Sequence, residues 1–229
     1  MKRRLLWRIL LAVLAFVAVL AFALRDELSA IIGGDEVRDS WQHPDRVLAA
    51  LDLQPGQRVA DIGSGNGYFA FHFARAVGPE GKVYAVDIDA EANETVKWQA
   101  GEQGLNNIET ILAATDDPRL PEDGVDLIFL CNTYHHLDDR TEYFRSVRRY
   151  LRPGGRLAIV DFRRGGSFFA RITGHATDAE VLRRELEAAG FAVVNELDFL
   201  PWQLFAIFAP AEQTLAPSLS DSLLSASNF

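Results

Sequence analysis

Residues 59–71 read VADIGSGNGYFAF, and this stretch decides the fold. Arg58, Val59 and Ala60 begin a short apolar strand that carries Asp61 at its end. The chain then turns through Gly63, Gly65 and Gly67 and enters a segment with Phe69, Phe73 and Ala74 at helical spacing. Glycine suits such a turn because positive φ carries no Cβ penalty, and because a ligand can approach bare main chain closely. A helix that starts after the turn aims its unpaired N–H groups into it. Strand, glycine turn and helix in that order predict a nucleotide cradle. A second strand, Lys82-Val83-Tyr84-Ala85-Val86, ends in Asp87, twenty residues after Gly67. A carboxylate there accepts hydrogen bonds from both hydroxyls of a ribose.

The pattern continues outward from the turn. Upstream, Pro44-Asp45 opens a helix with Val47, Leu48 and Leu51 on one side. Downstream, the helix to Ala76 stops at Gly78-Pro79-Glu80-Gly81, a helix with Val96, Trp98 and Ala100 runs to Gly104, and Ile108 to Leu112 reads as a third strand. VDLIFLC, Val125 to Cys131, is a continuous apolar run, as expected of a central strand buried on both faces. A helix from Thr141 to Leu151 leads through Pro153-Gly154-Gly155 into a fifth strand that ends at Asp161 and Phe162. Thr177 is placed to cap a helix from Asp178 to Ala189, followed by a strand from Phe191 to Glu196 and an antiparallel final strand within Phe199–Phe208. Alternating strands and helices predict an α/β, doubly wound, mostly parallel sheet with helices on both faces. Ligands of such sheets sit beyond the carboxyl ends of the strands, which directs attention to Asn132-Thr133-Tyr134-His135-His136 after the central strand.

The glycine spacing is G-x-G-x-G, not the G-x-G-x-x-G of dinucleotide dehydrogenases. The ordered set Asp61, Gly63, Gly65, Gly67 and Asp87, with LRPGGRLAIVDF at 151–162, resembles the class I S-adenosylmethionine-dependent methyltransferases. TYHH at 133–136 is similar to a small subgroup of that family, and the resemblance runs from Pro44 to Phe208. It implies a Rossmann-like seven-stranded sheet with an antiparallel last strand, and S-adenosylmethionine as cofactor. By the same resemblance Asp61 orients the cofactor, the turn of Gly63, Ser64, Gly65 and Gly67 passes beneath its methionine portion, and Asp87 holds the ribose hydroxyls with Ile88 beside it. Asp116 is expected at the adenine amino group, with Asp117 as the alternative, and Asn132 near the methyl group. The chain departs from the family in having Ala114, not an acid, directly after the third strand.

His135, His136 and Tyr134 are the candidate catalytic residues. A nucleophile loses a proton when it is methylated, and imidazole can take it. In-line holding of nucleophile, methyl carbon and sulfur needs no base, so cofactor or substrate contact and plain loop packing stand as other readings. His135 and His136 alone make a poor metal site, since neighbours in sequence rarely converge and no third ligand is evident; no metal is expected. The loop from Arg163 to Asp178 carries Gly165-Gly166, three arginines and His175, and reads either as a solvated loop or as a surface for an anionic substrate or lipid. The expected activity is methyl transfer to an acceptor the sequence does not identify: a small molecule, a lipid or a protein. A non-catalytic cofactor-binding module at a membrane is the alternative. An NAD(P)-dependent reductase ranks third, because the glycine spacing is wrong and no second substrate domain exists.

Composition frames these readings. A chain of 229 residues with 48% hydrophobic content suits one domain of about 180 residues plus appendages. A formal net charge of -9 argues against nucleic acid as the main partner. The single cysteine, Cys131, excludes an internal disulfide. Residues 5–24 are apolar except for Arg8, follow Lys2-Arg3-Arg4 and stop at Arg25-Asp26-Glu27. Twenty helical residues span about 30 Å, enough for a bilayer core, while Ala21-Phe22-Ala23 has the form of a signal cleavage site. The expected organisation is therefore an anchor or signal segment at 1–25, a linker at 26–43, the catalytic domain at 44–209 and a flexible tail at 210–229. The positive-inside rule keeps the N-terminus in the cytoplasm and would export the domain, whereas a cytoplasmic cofactor calls for a membrane-bound domain facing inward. The inward orientation is the expectation, with export as the alternative.

Overall fold

The computed structural model describes residues 34–122, 124–166 and 174–211, together with Val13, Leu14 and Val17. The chain divides into a first unit that ends at His43 and a second that begins at Pro44. In the first, α1 (Asp35–Gln42) occupies part of the stretch expected to be a linker. Asp35 and Glu36 favour its positive N-terminus, and it ends at His43, whose left-handed backbone (φ 47°) lets its N–H reach the Asp39 carbonyl at 3.1 Å just ahead of Pro44. The apolar run at 5–24 lies outside the described residues except at Val13, Leu14 and Val17, as does the tail from residue 212. Among the described residues no helix is long and apolar enough to cross a membrane.

The second unit is a layered α/β fold. In chain order it contains α2 (Pro44–Leu51), β1 (Arg58–Ile62), α3 (Tyr68–Val77), β2 (Lys82–Asp87), α4 (Ala90–Glu102), β3 (Ile108–Leu112) and β4 (Val125–Cys131). There follow α5 (Arg140–Val147), β5 (Leu151–Phe162), α6 (Ala179–Ala188), β6 (Phe191–Leu197) and β7 (Gln203–Pro210). Short 3₁₀ turns at Tyr134–His136 and Arg148–Tyr150 flank α5. The seven strands lie in the order β3-β2-β1-β4-β5-β7-β6, and β7 runs antiparallel to both of its neighbours while the other pairings are parallel.

Strand periodicity of two divides the core into layers. On one side of the sheet Val59, Leu127, Phe129, Ala158 and Val160 pack with α2 and α3. On the other, Ala60, Ile62, Ile128, Leu130, Leu157 and Ile159 pack with α5 and α6. Phe129, fully buried, meets Phe69 and Phe73 edge-on at ring-centre distances of 4.8 and 5.0 Å, a geometry that adds about 0.5–1.5 kcal/mol per pair beyond the area buried.

The register levels the carboxyl ends of the central strands: Ile62 pairs with Val86 and Leu130, and Cys131 with Val160. β1 and β4 lie side by side, yet the chain leaves them toward opposite edges of the sheet. Their junction is the switch point where such sheets open a crevice. One expected cap differs from the structure. The Asp178 carboxylate, not Thr177, caps α6, accepting from the N–H groups of Glu180 at 3.0 Å and Val181 at 3.3 Å. Thr177 instead donates its hydroxyl to Asp161 at 3.0 Å.

The C-terminus of α3 is closed by a side chain from far along the chain. Buried Asn107 donates to the Ala74 and Gly78 carbonyls at 2.8 and 2.9 Å. Asn107→Ala removes both bonds, and although the Gly78 carbonyl keeps the Gly81 N–H at 3.0 Å, the buried side-chain bond to Ala74 is lost, so urea unfolding should show a loss of about 1–3 kcal/mol. A variant as stable as the parent would show that those carbonyls are satisfied without it.

Candidate active site

The glycine turn is held by main chain from β2. Gly63 and Ser64 donate their N–H groups to the Val86 carbonyl at 2.7 and 3.2 Å, and Gly65 donates to Asp87 Oδ2 at 2.8 Å. Asp87 Oδ1 accepts from the Asp89 N–H at 3.0 Å. Gly63, Gly65 and Gly67 all have positive φ, at 74°, 52° and 85°. A Cβ on Gly63 would sit 2.2 Å from Thr133 Oγ1, so the ends of β1 and β4 approach more closely than any side chain permits. At Gly65 no heavy atom of the described residues beyond its chain neighbours lies within 4 Å of that position, leaving bare main chain for a ligand. Asp61 is buried at the end of β1. The Ser64 hydroxyl is buried with no hydrogen-bond partner among the described residues, a group that a bound polar ligand would satisfy.

A cleft of about 1010 Å³ opens over the carboxyl ends of β1, β2 and β4. Its walls include Gly63, Asp87, Ile88, Asp116, Asn132 and His136. Ile88 is 63% exposed and offers an apolar surface to a flat ring. The two candidate acids after β3 are treated differently. Asp117 accepts from the Arg119 N–H at 2.9 Å, the Tyr150 hydroxyl at 2.8 Å and Arg149 at 2.9 Å. Burial pushes its pKa up, but these donors outweigh it and hold the carboxyl below its ordinary value. Asp116 is exposed, with no such bonds among the described residues. The Asn132 backbone is left-handed at φ 55°, and its Oδ1 accepts from Gln203 Nε2 at 2.7 Å. Of the residues expected to hold the cofactor, Gly63, Asp87, Ile88, Asp116 and Asn132 line one cleft, while Asp61, Ser64, Gly65 and Gly67 belong to the strand end and turn beside it. They fit S-adenosylmethionine, with an acid for the ribose, an apolar side chain for the adenine and open main chain between.

The TYHH turn splits its residues between two environments. Tyr134 is 1% exposed, hydrogen-bonds Glu185 through its hydroxyl, stacks on Phe144 and lies beneath Arg140. Burial, then the hydrogen bond to Glu185, raises its pKa far above the ordinary tyrosine value. It is not among the residues lining the cleft. His136 lines the cleft's other end with the His135 ring beside it, their centres 4.1 Å apart, and a third histidine from the loop after β5 joins them. His175, returning on the segment ahead of α6, stacks against His135 with ring centres 5.0 Å apart and lies 5.1 Å from His136. Asp161, at the end of β5, accepts from the His135 main-chain N–H at 3.1 Å and sits 2.7 Å from its Nδ1. His136 has its pKa lowered, first by burial and then by the charges of His135 and His175, against an upward pull from Asp161. Of the loop arginines, Arg163 pairs with Asp198 at 3.0 Å and Arg164 lies 3.8 Å from Asp178, while Arg171 falls outside the described residues.

The contact between Gly63 and Thr133 can be tested directly. Gly63→Ala combines left-handed strain, roughly 1–3 kcal/mol, with a collision against three Thr133 atoms. It should lower stability by at least that much in urea unfolding. Adding Thr133→Ala removes two of the three colliding atoms and should restore part of the loss; purely additive variants would refute the contact.

Comparison with known proteins agrees with the geometry. A family model described as a methyltransferase domain matches residues 53–195. The ubiquinone/menaquinone biosynthesis C-methyltransferase UbiE of Vibrio campbellii is 32% identical over 110 residues, which are 48% of this chain and 42% of that protein. The arsenite methyltransferase of Halobacterium salinarum is 26% identical over 180 residues, 74% of this chain and 45% of that one. The chain thus matches under half the length of these curated relatives. Among solved structures, a SAM-dependent methyltransferase from Aquifex aeolicus superposes with a TM-score of 0.68 at 26% identity, covering 72% of this chain and 88% of that one. With its glycine turn, its acid at the end of β2 and its single antiparallel strand β7, this chain belongs to the class I S-adenosylmethionine-dependent methyltransferases.

Proposed function

We propose that this protein transfers a methyl group from S-adenosylmethionine to a small, lipophilic acceptor, and that residues 5–24 hold it at a membrane with the catalytic domain facing the cytoplasm. The observation that carries the reading is the glycine turn locked by Asp87, which leaves main chain open at Gly65 beside a ribose-binding carboxylate. The cofactor, when bound, supplies a methyl group on an electrophilic sulfonium. Asp87 and Gly65 hold the ribose end, Ile88 and Asp116 the adenine, and Asp61, Ser64 and Asn132 the methionine portion. The acceptor enters at the histidine end, and holding its nucleophile in line is the main source of rate. His136, whose depressed pKa keeps it neutral at pH 7, takes the proton that the nucleophile loses. Tyr134, tied to Glu185, keeps the turn in place rather than touching the reacting atoms. A lipophilic acceptor accords with the quinone-pathway name of the Vibrio relative and with the apolar run at 5–24.

Calorimetry should show binding of S-adenosylmethionine and its demethylated product and none of NAD. Asp87→Ala should weaken that binding by roughly 1–3 kcal/mol. NAD binding, or indifference to both methyl-cofactor forms, would overturn the assignment. With labelled cofactor and a membrane-lipid extract, label should enter small organic-soluble molecules. Label confined to protein would refute the acceptor class, and cofactor binding without any transfer would favour a non-catalytic module.

The pH profile tests the base. A histidine with a depressed pKa stays neutral down through its ordinary value of 6.5, so the rate should be flat above that pH and fall only below it. A rate still climbing between about pH 7 and 8 would exclude His136 as the base. Protease added to intact spheroplasts should leave the domain uncut; digestion from outside would reverse the proposed orientation.

A further inference from the structure

We infer that His135, His136 and His175 bind a divalent transition-metal ion at the acceptor end of the cleft. The inference concerns the same end of the site as the function proposed above: with the ion bound, His136 gives its lone pair to the metal and no longer serves as the base, and failure of the inference would leave the methyltransferase assignment standing.

Each of the three histidines presents one ring nitrogen, and the three nitrogens lie within 4.8 Å of one another. Three of the chain's five histidines are thus gathered at one point. Metal–nitrogen bonds of about 2.0–2.1 Å in a tetrahedral site put neighbouring ligand nitrogens about 3.3 Å apart. Closing from the present spacing requires ring movements of roughly 1.5 Å or less. The structure allows them: His136 and His175 are exposed, and no hydrogen bond among the described residues holds either ring.

His135 is fixed, and fixed in the manner of a ligand. Its Nδ1 lies 2.7 Å from Oδ1 of fully buried Asp161, so Nδ1–H donates to the carboxylate and Nε2 keeps a free lone pair. A carboxylate that orients an imidazole and sets its tautomer is the usual outer support of a metal-bound histidine. The same carboxylate brings in the third ligand. Asp161 Oδ2 accepts from the Thr177 hydroxyl at 3.0 Å, Thr177 N–H donates to the Phe162 carbonyl at 2.7 Å, and residues 163 and 177 form a parallel bridge. These bonds pin the returning strand two residues after His175 and set that ring against the other two.

Three imidazoles suit zinc, and also copper, iron or nickel. Three protein ligands leave a fourth position open, as in metal sites that receive a substrate. His136 lines the cleft, so that position is within reach of an oxygen or sulfur of the acceptor.

The test uses the untagged full-length protein, since a histidine tag would bind the probe. Titrated with Co²⁺ at neutral pH, it should develop visible absorption that saturates at one equivalent per chain and is abolished by Zn²⁺ competition. His175→Ala and His136→Ala should each lose the absorption while keeping the parent's far-ultraviolet circular dichroism. Asp161→Asn should weaken Co²⁺ binding by roughly 10- to 100-fold. No absorption in the parent, or absorption unchanged by His175→Ala, would overturn the inference.

Discussion

The N–H of Gly65 donates to the Asp87 carboxylate at 2.8 Å, and through that bond the end of β2 holds the turn that leaves β1. Much of the site follows from it. The turn can lie so close to Thr133 only because Gly63 has no side chain to strike it, and that approach seats the end of β4 against the end of β1. Asp87 is then committed at both oxygens to main-chain donors and still stands at the rim of the cleft. A carboxylate fixed in this way meets a ligand's hydroxyls without first losing rotational freedom, which is the benefit of preorganisation.

The far end of the cleft is organised by Asp161. One buried carboxylate accepts from the His135 main chain and ring, from the Phe162 N–H and from the Thr177 hydroxyl. A charged group removed from water is tolerable only when its lone pairs are satisfied, and here the satisfying groups come from three separate segments. The cleft thus has two acidic fixtures at strand ends, one on β2 and one on β5, each locking a turn that belongs to another strand.

Much of this was legible in the sequence. The glycine turn, the acids ending β1 and β2 and the central apolar strand follow from local chemistry and periodicity, the antiparallel last strand from the family resemblance, and the structure has each of them. What could not be read depends on contacts between distant residues. His175 lies 39 residues from His136 and reaches it only because Thr177 bonds Asp161, and no local pattern announces that bond. Thr177 stands one residue ahead of the true cap, so the same bond defeats a capping rule that looks only at neighbours. Tyr134 looks catalytic beside two histidines, yet the 3₁₀ turn directs its ring to the core, His135 to Asp161 and only His136 to the cleft. The helix Asp35–Gln42 was hidden by a polar composition that also fits a linker. The choice between Asp116 and Asp117 turns on Arg149 and Tyr150, which the sequence places more than thirty residues away.

The antiparallel strand has a consequence for how the chain comes to be folded. β6 is synthesised before β7, yet in the finished sheet β7 lies between β5 and β6. Until residues 203–210 are available, β6 has no strand to pair with and the outer edge of β5 carries unpaired main-chain groups. During synthesis, the half of the sheet from β3 to β5 can assemble as it emerges, while β6 and α6 wait for the last strand. The interval between those events is when the nascent protein presents an open edge to its neighbours, and its length is set by how quickly residues 198–210 follow β6 out of the ribosome.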